Sequence, residues 1–137
     1  MDFQLIINNF LVILQGLDET LILIFLSLIL GFFISIPFAL ARVSSIKVLS
    51  QSVYYYIFVI RGTPLLVQIY LIYFGLGSIK AVRESFLWIL LKEPFWCGVI
   101  ALVINTVAYT TEIFRGGIQS VTKGQIESCK SLGMNKF

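Results

Sequence analysis

The sequence predicts an all-α integral membrane protein with about three transmembrane helices and one further helix outside the bilayer. Three observations carry this. The 137 residues are 58% hydrophobic and only 12% charged, with a mean hydropathy of +0.96, which leaves too little polar surface for a soluble domain. Long apolar runs are each followed by polar or basic stretches. Finally, the polar stretch from Thr122 to Gly133 has helix-entry and helix-exit chemistry at its two ends.

Met1 to Gly16 is apolar but broken by Asn8, Asn9 and Gln15, and reads as a short interfacial helix. Its acidic start, with no basic region before an apolar core, gives no secretory cleavage signal. The first span is expected over about 17–41. Leu21 to Ala41 carries no charge and is long enough to cross a bilayer. Ser27, Gly31 and Ser35 form a small-residue stripe suited to close helix packing, and Pro37 is a potential kink. Arg42 and Lys47 mark a polar turn that reaches Ser52.

The second span is expected over about 53–76, interrupted by Arg61-Gly62-Thr63-Pro64. An arginine, a glycine and a proline together are costly inside a bilayer. Two readings fit. Either Leu49 to Ile60 lies along the interface and the span starts near Gly62, or one kinked helix turns Arg61 towards a wet cavity. Gln68, one turn beyond Pro64, gives the span a polar face. An outer loop over 75–94 contains a short apolar helix near Phe86–Leu91, and Trp88 and Trp96 suit the membrane interface.

The third span is expected over about 95–114. Asn105, Tyr109 and Glu112 fall at i, i+4 and i+7, on one helical face, with Thr106 and Thr110 beside them. Glu112 either faces a pathway or forms an interfacial ion pair with Arg115. The final helix, about 122–133, opens on Thr122 with Gln125 three residues later, a capping-box pair. Val121 and Ile126 stand at staple positions, and Gly133 stands where a left-handed terminator belongs.

Basic residues set the topology. Arg42, Lys47, Arg115, Lys123, Lys130 and Lys136 belong in the cytoplasm, which puts the N-terminus outside and the last helix inside. The charge of +3 is typical of such a protein and is no nucleic-acid signal. Histidine is absent, and Cys97 and Cys129 fall on opposite sides of the membrane, so no metal site or disulfide is expected. No Walker loop and no nucleophile–base constellation is present, which argues against an enzyme.

Three stretches, in order, resemble one family: Arg61-Gly-Thr-Pro-Leu-Leu-Val-Gln-Ile-Tyr70, then Asn105-Thr-Val-Ala-Tyr-Thr-Thr-Glu-Ile-Phe-Arg-Gly-Gly-Ile118, then Lys123-Gly-Gln-Ile-Glu-Ser-Cys-Lys-Ser-Leu-Gly133. They are similar to the permease subunits of ATP-binding cassette importers for polar amino acids, the histidine, glutamine, arginine and opine group. The resemblance covers about Thr20 to Phe137. It implies that the spans are the N-terminal part of a longer permease bundle in a bacterial cytoplasmic (inner) membrane. It also implies that the last helix is a coupling helix docking on a separate ATPase subunit, through Gly124, Glu127, Ser128, Cys129 and Gly133. Glu127-Ser128-Cys129 stands where the family has Glu-Ala-Ala, and Thr122 stands where it has proline.

The resemblance further implies a second permease subunit, identical or related, and an extracytoplasmic amino-acid-binding protein. No cofactor is expected on this chain, ATP being held by the partner. The candidate substrate pathway comprises Arg61, Thr63, Gln68, Asn105, Tyr109 and Glu112, and the carboxylate of Glu112 favours basic amino acids. Family members continue past the Glu-Ala-Ala motif into at least two more spans. The sequence ends at Phe137, so it reads as a permease truncated after that motif. The alternative is a non-transporting membrane subunit that only binds the ATPase.

Overall fold

A computed structural model of the chain describes residues 16–134, together with Phe10, Val12 and Leu14. Most of the interfacial helix expected over Met1–Gly16 lies outside the described residues. The described chain is helical, with no strand: α1 (Leu17–Val43), α2 (Lys47–Gly62), α3 (Leu65–Tyr70) continued by a π-helical turn (Leu71–Leu76), α4 (Lys80–Arg83), α5 (Trp88–Leu91), α6 (Pro94–Ser120) and α7 (Lys123–Ser131). The all-α membrane architecture follows the expectation. α1 and α6 are each long and apolar enough to cross a membrane, and the bent pair α2 plus Leu65–Leu76 makes up to three.

α1 and α6 form the core, and the small residues explain how. Ser27, Gly31, Ser35 and Ala39 are the buried positions of α1. A Cβ on Gly31 would stand 2.6 Å from Thr106 Cγ2, so only glycine lets the two backbones come this close. Opposite them, α6 buries Cys97, Val99, Ala101, Val107, Ala108 and Thr111. The serines carry no polar debt, because each hydroxyl donates back into its own helix: Ser27 to Leu23 O and Ile24 O, Ser35 to Phe32 O at 2.7 Å. The large apolar residues of α1, such as Phe25, Leu28 and Phe33, face outwards and are half-exposed or more. This is the pattern for a helix whose surroundings are lipid, where packing of small residues replaces the hydrophobic drive of a soluble core.

The two long helices run parallel. Leu23 lies against the Gly98 position, and Gly31 against Thr106 further along both. The chain between them therefore returns once. Pro37 sits inside α1 without ending it.

That return is broken. α2 and Leu65–Leu76 meet at 103°, and Thr63 and Pro64 are extended. A single kinked helix is excluded by this angle, since Pro64 removes a donor and pushes Thr63 out of the helical region. α2 lies across one end of the α1–α6 pair. Val53 and Ile57 pack on Ala108 with Phe38 and Tyr56 around them, and the Tyr56 hydroxyl donates to Ile104 O at 2.6 Å. The rising leg runs back along α6 for about 18 Å at helical rise.

The outer loop folds as α4 and α5, the latter close to the short helix expected at 86–91. Pro94 starts α6 at the first helical turn, where proline costs nothing. α6 continues to Ser120, past the expected end of the span, and carries Glu112 and Arg115 within one helix.

Candidate functional site

The six pathway candidates separate into two places. Gln68, Thr63 and Asn105 gather at the break between α2 and α3. The Gln68 side chain is buried, and its Nε2 donates to Ile60 O at 2.7 Å, to Thr63 O at 3.1 Å and to Thr63 Oγ1 at 2.9 Å. Asn105 Nδ2 donates to Gln68 Oε1 at 3.2 Å. The Thr63 hydroxyl donates in turn to Val59 O at 3.0 Å. These groups satisfy the carbonyls that the break leaves unpaired, and they tie the bend to α6. Their polarity is spent inside the fold.

Arg61, Tyr109 and Glu112 lie in a separate cleft of about 460 Å³, lined also by Arg42, Tyr54, Ile57, Phe58, Gly62 and Arg115. The α1–α2 corner supplies Arg42, held by its bonds to Ser50: Arg42 Nη1 donates to Ser50 Oγ at 3.0 Å, and Ser50 Oγ donates to Arg42 O at 2.8 Å. The guanidinium of Arg42 stands 5.0 Å from the Tyr54 ring centroid, and that of Arg61 5.0 Å from the Tyr109 ring centroid. Arg115 grips Glu112 Oε2 with Nη2 at 2.7 Å and Nε at 2.9 Å, while Arg42 Nε approaches Oε1 at 3.7 Å. Arg115 Nη1 also donates to Gln119 Oε1.

Of the two readings of Glu112, the geometry shows the ion pair with Arg115, and it adds Arg42 on the other oxygen. The carboxylate is not free for a cationic side chain, so the expectation of basic substrates loses this support. Three guanidiniums face one carboxylate, and the cleft carries a surplus of two positive charges. Arg42, Tyr54 and Arg115 line the cleft in addition to the residues expected in the pathway. The spacing of Arg115 from Glu112 gave a signal, whereas Arg42 and Tyr54 arrive through tertiary contacts.

The coupling candidates Gly124, Glu127, Ser128, Cys129 and Gly133 lie on or directly after α7, whose residues are all exposed. Its ends are closed as the sequence predicts. Gln125 N donates to Thr122 Oγ1 at 3.4 Å and Thr122 N donates to Gln125 Oε1 at 3.0 Å, a full capping box. At the other end Gly133 has φ +79°. Met134 N donates to Cys129 O at 3.1 Å and Gly133 N to Lys130 O at 3.0 Å, the paired bonds of a Schellman motif. Val121 and Ile126, at the staple positions, stay about half-exposed. No cluster of metal ligands occurs among the described residues.

Parallel apolar helices, a polar break in the return leg, and a closed polar helix directly after the last long span are the features of an all-α integral membrane component. The chain belongs to the binding-protein-dependent transport system inner membrane component family, whose model matches residues 28–137. It is 49% identical over its whole length to the nopaline transport system permease protein of Agrobacterium fabrum, of which it covers 57%. It is 47% identical over 94% of its length to an octopine transport system permease protein of Rhizobium radiobacter, covering 53% of that protein. An arginine ABC transporter permease protein of Haemophilus influenzae is 37% identical over 92% of the chain, which covers 56% of that protein. A solved amino acid ABC transporter, crystallised with histidines, superposes with a TM-score of 0.80 at 41% identity, over 98% of this chain and 59% of that one. The chain therefore spans little more than half the length of these relatives.

Proposed function

We propose that this chain forms part of the permease of an ATP-binding cassette importer for polar amino acids or opines, and couples transport to a separate ATPase subunit through α7. The observation that carries this reading is α7: a helix exposed along its whole length, closed at both ends, joined by Val121 and Thr122 to the end of a 27-residue apolar helix. Such an element is built to be gripped from outside the membrane. In this reading the N-terminus is outside and α7 is cytoplasmic. ATP is bound and hydrolysed by the partner, a second permease subunit completes the pathway, and an external binding protein delivers the substrate. Relatives named for nopaline, octopine and arginine support the substrate class.

The test is uptake in proteoliposomes containing the permease with its ATPase and binding protein. Labelled arginine, histidine, glutamine, octopine and nopaline are offered outside, with ATP inside. ATP-dependent accumulation of at least one of them is expected. Accumulation of none, with the assembly intact, overturns the reading.

A further inference from the structure

We infer that the cleft between Arg42, Arg61 and Arg115 is a phosphate-binding site, and that its occupant is the headgroup of an acidic membrane phospholipid. Arg61 is the starting point. Among the described residues it makes no salt bridge and no side-chain hydrogen bond, and its guanidinium is held only over the Tyr109 ring. The carboxylate nearest to hand, Glu112, is already gripped by Arg115 and approached by Arg42. Three guanidiniums share this cleft with one carboxylate, so like charges crowd together, and an added oxyanion relieves that repulsion. Arginine suits phosphate, because its planar fork meets two oxygens at once.

The walls of the cleft separate a lipid from a soluble phosphate. Phe58 lines it and is 65% exposed, with Tyr54 stacked beside it at 6.2 Å between centroids. An apolar aromatic wall directly beside a basic cleft matches an acyl chain beside its headgroup, and a free phosphate has no use for it. The positive-inside assignment puts Arg42 and Arg115 at the cytoplasmic side, the leaflet facing anionic lipid attraction of this kind. The inference rests on the permease reading only for that choice of leaflet.

The test is native mass spectrometry of the purified assembly, released from nanodiscs of mixed phosphatidylglycerol and phosphatidylcholine. Arg61→Gln is expected to lower phosphatidylglycerol retention about fivefold, the factor equivalent to ~1 kcal/mol for one basic residue. Arg61→Lys is expected to keep most of it, which separates lost charge from lost fold. Glu112→Gln, which adds to the surplus charge, is expected to raise retention. Arg83→Gln, at the outer loop, is expected to leave it unchanged. Equal retention in wild type and Arg61→Gln overturns the site, and so does an equal loss in Arg83→Gln. In discs of phosphatidylcholine alone, a rise in melting temperature with inorganic phosphate that Arg61→Gln abolishes assigns the cleft to a soluble anion and overturns the lipid. Retention is read without transport, so failed uptake and a failed lipid site give different results.

Discussion

Gln68 closes the end of the helix that precedes it. Its Nε2 lies 2.7 Å from Ile60 O, across the extended Thr63–Pro64 step, and its Oε1 accepts from Asn105 on α6. One side chain thus replaces the backbone donors that the break removes, and anchors the bend to the neighbouring helix.

Gln68→Leu is therefore expected to destabilise the fold by about 1–3 kcal/mol, since it strands buried carbonyls as well as removing bonds. Asn105→Ala removes only the outer link and is expected to cost less. Thermal unfolding of the two variants in the same detergent ranks them. Equal melting temperatures for Gln68→Leu and wild type would show that the bend holds itself.

The Gly31–Thr106 contact makes a paired prediction. Gly31→Ala forces a methyl group against Thr106 and is expected to cost about 1–3 kcal/mol. Thr106→Gly in the same chain removes both Cγ2 and the Cβ, which would itself stand 2.8 Å away, and is expected to recover part of that loss. A double-mutant cycle on melting temperature reads the coupling, and strictly additive effects count against the contact.

For α7, Thr122→Ala is expected to cost the helix about 1 kcal/mol. Glu127→Arg and Gly133→Asp are expected to abolish coupled uptake while membrane insertion persists, the second because it places a Cβ at φ +79°. Uptake assays paired with membrane fractionation check both. Normal uptake in both variants would remove α7 from the coupling role.

Glu112→Gln tests the cleft by selectivity. Because Arg115 and Arg42 already engage the carboxylate, the ratio of arginine to glutamine uptake is expected to stay near its wild-type value. A selective fall in arginine uptake would show that the carboxylate reaches substrate after all.

Local chemistry made most of the fold legible in the sequence. The capping box at Thr122–Gln125 and the left-handed Gly133 involve residues a few positions apart, so composition and spacing sufficed. The small-residue stripe marked the packed face of α1 for the same reason. The candidate site was harder. Gln68 and Glu112 look alike from spacing, as polar residues on apolar helices. One is consumed by backbone eight residues away, the other by an arginine on its own helix and a second at the end of α1. Arg42 reads as a topology marker until α2 folds back and places Tyr54 beneath it. Long-range encounters of that kind leave no periodic trace.

The two closed ends of α7 have a thermodynamic consequence. A segment that becomes helical only on contact gives up conformational entropy each time it is engaged, and that loss is subtracted from affinity. With its terminal amides and carbonyls already satisfied by Thr122, Gln125 and the Gly133 turn, α7 would meet the proposed ATPase subunit preorganised. Engagement and release would then differ mainly in surface contact, so the proposed subunit could let go and rebind many times without refolding what it holds.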